Sequence, residues 1–165
     1  MTNQKYDLLF LCTGNSARSI LGEYLLKKID PLRFNSYSAG ANPTGQINPL
    51  VQNILCEKFN IDSTDARSKS WMEFKGVHFD FVITVCDNAK ESCPIWPGQP
   101  IIAHWASPDP AHFKGSEEEK KHQIYEVALQ IRRRLELFTS LPLEKMDRLK
   151  LSEQMTSLAT ESLQA

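Results

Sequence analysis

The stretch Phe79–Val85 (Phe-Asp-Phe-Val-Ile-Thr-Val) constrains the fold more than any other part of the chain. It is aromatic, β-branched and almost wholly apolar, the composition of a central parallel strand covered on both faces. Such a strand needs neighbours and a layer on each side. Tyr6–Leu11 reads as a second buried strand, Phe34–Ala39 as a third and Ile101–His104 as a shorter fourth. Between them lie segments of helical period: Ser16–Ile29 with Ile20, Leu21, Tyr24, Leu25 and Ile29; Pro49–Phe59 with Val51, Ile54, Leu55 and Phe59; and Glu117–Phe138 with Ile124, Val127, Ala128, Ile131, Leu135 and Phe138. Strands alternating with helices predict a three-layer α/β fold with a central parallel sheet of about four strands. Its active site belongs at the carboxyl ends of those strands.

No repeat, low-complexity tract or linker interrupts the chain before about residue 140, so residues 1–140 are expected to form one domain, as 165 residues with 41% apolar content suit. Residues 141–165 form a tail in which Leu143, Met146, Leu149 and Leu151 sit in a polar background. That pattern fits either a docked extra helix or a frayed end. Nineteen Lys+Arg against twenty Asp+Glu leave a formal charge of -1, which argues against nucleic acid or a membrane surface as partner. The apolar runs fall well short of the ~20 residues a membrane span needs. Met1–Asp7 lacks a signal-peptide pattern, so a reducing cytoplasm is the expected compartment.

In that compartment the four cysteines need a purpose other than disulfide scaffolding. None of the spacings among Cys12, Cys56, Cys86 and Cys93 matches a C-x₂₋₄-C zinc pair, and no metal is expected. Cys56 reads as a core residue, whereas the other three are candidate reactive thiols. Lys120-Lys121 and Arg132-Arg133-Arg134 read as the solvated face of the long helix, and His104 and Trp105 as packing and orienting residues.

The chemistry begins at Cys12. The segment Cys12-Thr13-Gly14-Asn15-Ser16-Ala17-Arg18-Ser19 puts a thiol at the end of a strand, small or polar residues in a tight loop, and an Arg at the start of a helix. Such a loop turns backbone N–H groups inward as an anion nest, and the helix N-terminus adds partial positive charge. Gly14 and Asn15 are the residues best able to take a left-handed backbone there. Arg18 can fork onto two oxygens of a tetrahedral oxyanion, and Ser19 can hydrogen-bond the Cys12 sulfur and favour its ionised form. The plain alternative is a buried Cys followed by an exposed Arg. The position between strand and helix favours the oxyanion loop.

Cys12-x₅-Arg18-Ser19 after an apolar strand resembles the phosphate-binding loop of the low-molecular-weight protein tyrosine phosphatase fold. Val85-Cys86-Asp-Asn-Ala-Lys-Glu-Ser-Cys93-Pro94 resembles the redox segment of the thioredoxin-coupled arsenate reductases built on that fold, and His104-Trp105-Ala-Ser-Pro-Asp109-Pro110-Ala111 resembles their general-acid loop. The likeness runs from about residue 6 to about 138, with three motifs in the family's order. It implies Cys12 as nucleophile, Arg18 as oxyanion clamp, Asp109 as the acid that protonates the leaving oxygen, and Cys86 and Cys93 as a thiol-disulfide relay. It also implies arsenate or a phosphate-like oxyanion as substrate, no tightly bound cofactor, and an external thiol reductant, thioredoxin first and glutaredoxin second. A phosphatase acting on phosphotyrosine or small phosphoesters is the first alternative, although Ala111-His112-Phe113 is not the aromatic slot those enzymes carry after their Asp-Pro pair. A non-catalytic oxyanion binder is the second. It would have no need of Cys12, Asp109 and a thiol pair together.

Two departures from the family pattern matter. Some members bind potassium beside the loop through an Asn, a Glu, a Ser and a distal Asp. Asn15, Glu23 and Ser38 match the first three, but Lys69 aligns with the Asp, with Ser68 or Ser70 as the other alignments. With Lys69 there, its ammonium is expected to replace the ion. Ala17 stands where many relatives have a further Cys, which removes a disulfide partner of Cys12 but no catalytic group.

Overall fold

The computed structural model describes residues 5–86 and 96–160. Four strands, β1 (Tyr6–Cys12), β2 (Phe34–Gly40), β3 (Phe81–Thr84) and β4 (Ile101–His104), form one parallel sheet in the order β2-β1-β3-β4. Four helices follow in chain order among the described residues: α1 (Arg18–Ile29), α2 (Pro49–Phe59), α3 (Glu117–Thr139) and α4 (Arg148–Leu158). The α2 and β4 bounds coincide with those read from the sequence.

β3 is shorter than its apolar run. Phe79 leaves the ladder for an aromatic cluster, with ring centroids 5.6 Å from Tyr37, 5.8 Å from Phe74 and 5.5 Å from Trp96. Asp80 instead fastens the strand's start, its carboxylate accepting the Asp7 amide at 2.8 Å. The cluster covers the sheet face that carries Tyr37, and Leu9, Leu11 and Val82, which alternate onto that face, are fully buried. The opposite face carries Leu8, Phe10, Phe34 and Phe81 and packs under α1 and α3. Gly22 on α1 lies so close to Phe10 that a Cβ there would come within 2.6 Å of the ring.

α3 opens on a full capping box, Ser116 with Glu119. Asn48 caps α2 ahead of Pro49, and α2 ends at Asn60 in the left-handed region, φ 56°. Two sequence expectations are corrected here. Cys56 is exposed, because the buried stripe of α2 is Val51, Ile54 and Leu55 and Cys56 falls a further 100° round the helix from Leu55. Arg134 is buried at 3% exposure, not solvated, because it shares the inward face of α3 with Val127, Ile131 and Phe138. In the tail, α4 docks through Leu151, Met155 and Leu158, while Leu149 points outward. No helix among the described residues is long and apolar enough to cross a membrane.

Candidate active site

Cys12 ends β1, and residues 13–17 turn the chain into α1. The carbonyls of Cys12, Thr13, Gly14 and Ser16 accept the amides of Ala41, Asn42, Thr44 and Asn48 at 2.8–3.0 Å, and the Ser68 hydroxyl adds a bond of 3.0 Å to Gly14 O. With these carbonyl edges held outward, the amide edges of the same peptide planes turn inward, the arrangement of an anion nest. The Asn15 N–H lies 3.1 Å from Cys12 Sγ. Asn15 takes the left-handed backbone, φ 47°, whereas Gly14, expected to share it, does not. Gly40 matters more for space, since a Cβ there would stand 2.5 Å from Thr13 O. α1 starts behind Ala17 with no side-chain cap and no acidic residue in its first turn, leaving its positive end to the loop.

The Cys12 sulfur sits at the end of a directed chain of hydrogen bonds. The Lys69 amide donates to Asn15 Oδ1 at 2.9 Å, which orients the Asn15 amide so that Nδ2 donates to Ser19 Oγ at 2.8 Å. Ser19 Oγ lies 2.9 Å from Cys12 Sγ, and once Cys12 is a thiolate, with no proton of its own, the Ser19 hydroxyl is the donor of that contact. Cys12, Asn15 and Ser19 are all buried. Burial pushes the Cys12 thiol above its ordinary value, and the Ser19 and Asn15 hydrogen bonds pull against that rise.

Arg18 reaches across to the loop that follows β4. Its Nη1 donates to Ser107 O at 3.1 Å and its Nη2 stands 3.4 Å from Asp109 Oδ2. Asp109 Oδ1 caps its own turn by accepting the Ala111 amide at 3.0 Å. The Cys86 sulfur is 3.3 Å from Thr13 Oγ1, next to Cys12 in the loop, and is buried. Cys12, Arg18, Asp109 and Cys86 are thus brought to one place with Thr13–Ser19. Cys93, and the expectation of a loop or unwinding segment between Cys86 and Cys93, lie outside the described residues. Sequence reasoning passed over the Thr13 side chain as a neighbour of Cys86 and the Ser107 carbonyl as a ligand of Arg18. A backbone acceptor carries no signature in residue type.

Beside the loop, Lys69 Nζ lies 3.2 Å from Ser38 Oγ, 3.0 Å from Arg67 O and 3.8 Å from Glu23 Oε1. Ser38 donates to Glu23 Oε1 at 2.5 Å, and Lys27 holds the other Glu23 oxygen at 2.9 Å. These residues do not fit a potassium ion, because an ammonium already stands among the oxygens that would hold it. Burial pushes Lys69 below its usual value, with Glu23 opposing. A groove of about 440 Å³ opens next to the loop, lined by Ser16, Ile47, Leu50, Pro110 and Phe113 among others.

A family model described as low molecular weight phosphotyrosine protein phosphatase matches residues 7–147. An arsenate reductase of Oceanobacillus iheyensis is 37% identical over 134 residues, which are 81% of this chain and 95% of that one. An arsenate reductase of Bacillus subtilis is 34% identical over 131 residues, 79% and 93% of the two chains. In fold, the chain is similar to a thioredoxin-dependent arsenate reductase of Corynebacterium glutamicum, with a TM-score of 0.55 and 24% identity over 83% of this chain and 65% of that one. It is also similar to the tyrosine phosphatase Wzb of Escherichia coli K30 in complex with sulphate, with a TM-score of 0.61 and 20% identity over 79% and 96%.

Proposed function

This chain belongs to the low molecular weight phosphotyrosine protein phosphatase family, and from that premise we propose that it is an arsenate reductase, converting arsenate to arsenite with electrons from its own thiols. The observation that carries the reading is the second buried thiol beside the loop, Cys86 Sγ at 3.3 Å from Thr13 Oγ1. A phosphatase needs one nucleophile; a reductase needs two electrons.

In the proposed sequence the inward amides and Arg18 hold the oxyanion and the Cys12 thiolate attacks arsenic. One oxygen leaves as water, protonated by Asp109, and a Cys12–arsenic bond forms. The Cys86 thiolate then attacks Cys12 Sγ. The sulfur–arsenic bond breaks with its electron pair remaining on arsenic, which leaves as arsenite, and a Cys12–Cys86 disulfide is made. Cys93 next attacks Cys86, releases the Cys12 thiolate and forms a Cys86–Cys93 disulfide for an external dithiol to reduce. Thioredoxin is the reductant we assign. The decisive assay is arsenate turnover with thioredoxin, thioredoxin reductase and NADPH beside a control with glutaredoxin, glutathione, glutathione reductase and NADPH. NADPH consumption only in the first arm is expected, and none in either arm would refute the reductase reading.

The groove that runs from Ser16 past Ile47, Leu50 and Phe113 favours a second, lesser activity. An aryl leaving group seated there would place its phosphate in the same loop. Slow hydrolysis of an aryl phosphate, abolished with Cys12, is the expected side reaction.

A further inference from the structure

The segment that carries Asp109 is tied at its base to α4, a helix beyond residues 7–147 that the family model matches. Two side chains make the tie. Trp105, 1% exposed, donates its indole N–H to Met155 O at 2.9 Å. Arg134, 3% exposed, donates Nη1 to Ala106 O at 3.1 Å and Nη2 to Ala159 O at 2.8 Å. Ala159 is the C-terminal cap of α4, where helix carbonyls carry partial negative charge. Among the described residues no carboxylate pairs with Arg134, and the two carbonyls offset part of the cost of burying its charge. The guanidinium thereby links the end of the helix to the Ala106 carbonyl.

From Ala106 the connection is short. Ser107 O and the Asp109 carboxylate are the two groups that Arg18 meets. Past Trp105, the segment has among the described residues one further backbone tie toward the sheet, Ser107 N–H to Val85 O at 3.2 Å. Its position is therefore set as much from behind, by Trp105 and Arg134, as from the sheet.

We propose that α4, acting through Trp105 and Arg134, is a brace that fixes Asp109 over the oxyanion loop, and that Trp105 and Arg134 are positioning residues for the proton transfer. The proposal rests on the reading of Asp109 as proton donor. Misplacing a proton donor by about 1 Å costs up to about 100-fold in rate, so small losses of support are measurable.

Two conservative variants test it in the full-length protein. Trp105→Phe keeps a ring against Phe138, whose centroid is 6.2 Å away, but loses the N–H. Arg134→Lys keeps a charge but cannot span both carbonyls. Each is made with Asp109 present and with Asp109→Asn. The readouts are the first-turnover rate of arsenite release, inhibition by inorganic phosphate, and hydrogen exchange of residues 104–113. The expected result is a rate lowered about 10- to 100-fold, retained phosphate affinity and faster exchange. In the Asp109→Asn background the same substitutions should cause no further loss of rate. Unchanged rates in both folded variants, or equal losses in the two backgrounds, would overturn the brace. If Arg134→Lys does not fold, Trp105→Phe decides alone. Wild-type rates in Asp109→Asn would instead remove Asp109 as donor; the exchange data would then report on the brace by themselves, and unchanged exchange would refute it.

Discussion

Ser19→Ala should make the nucleophile markedly harder to ionise. The Ser19 hydroxyl lies 2.9 Å from Cys12 Sγ and accepts from Asn15 Nδ2 on its other side, so it can donate to the Cys12 thiolate. A donor to sulfur stabilises thiolate more than thiol, and a hydrogen bond to a charged group is worth about 1.5–3 kcal/mol. Cys12 is 2% exposed, so water does little to dilute that figure. The loss should move Cys12 ionisation upward, on top of the rise that burial already imposes. Below both midpoints, the thiolate fraction at fixed pH falls about 10- to 100-fold. The assay is the rate of Cys12 alkylation by iodoacetamide across pH, read by peptide mass so that the other thiols do not contribute. The variant also leaves Asn15 Nδ2 without its acceptor, which should lower unfolding stability by about 1–3 kcal/mol in urea. Superposable pH profiles in a folded variant, or a downward shift, would refute the directed hydrogen-bond chain.

Cys12→Ser should abolish arsenate reduction and aryl phosphate hydrolysis while phosphate still binds, as isothermal titration would show, because the loop amides and Arg18 remain. Asp109→Asn should keep anion affinity and slow the first turnover by about 10² to 10⁴, measured by rapid quench. Cys93→Ser should release one equivalent of arsenite and stop with Cys12 linked to Cys86, whereas Cys86→Ser should release almost none; peptide mass after one equivalent of arsenate distinguishes them, and steady turnover of Cys93→Ser would sink the relay. Exchanging sodium for potassium should leave the wild-type rate unchanged, because Lys69 Nζ already lies 3.2 Å from Ser38 Oγ and 3.8 Å from Glu23 Oε1. Lys69→Asp, which removes the ammonium, should introduce a potassium response, and a wild-type rate that rises several-fold with potassium alone would refute this account of the site.

Residue type and period revealed most of the frame, and the exceptions have local causes. The helical pattern of Ser16–Ile29 begins two residues before α1 because Ala17 (φ -140°, ψ -79°) and Asn15 have backbones no helix can include. The apolar run Phe79–Val85 outlasts β3 because aromatic packing competes for Phe79. Residue type points Cys56 to the core, whereas its neighbours Ile54 and Leu55 mark a stripe that excludes it. Charge points Arg134 to solvent, whereas its spacing from Val127 and Ile131 places it on the inward face. In the site, Cys12, Arg18, Asp109 and Cys86 were legible from motifs. The bonds that arm them were not, since Lys69 N–H, Ser107 O and Ala106 O are backbone groups that come near only when the chain has folded.

The second thiol reaches its place through the topology of the sheet. β1 and β3 are parallel neighbours, paired from Leu8 with Phe81 to Leu11 with Thr84. Parallel strands end at the same level, and the Val85 amide continues the ladder by donating to Leu11 O at 3.0 Å. Extending that register sets Cys12 level with Val85 and Thr13 level with Cys86, and the Thr13 and Cys86 side chains do meet. Consecutive residues of an extended chain face opposite ways, so a thiol one place earlier, at Val85, would project to the other side of the sheet. A two-electron reductase therefore needs little rebuilding of a one-nucleophile fold. It needs a cysteine two residues past the end of β3, together with the crossover that makes that strand a neighbour of β1.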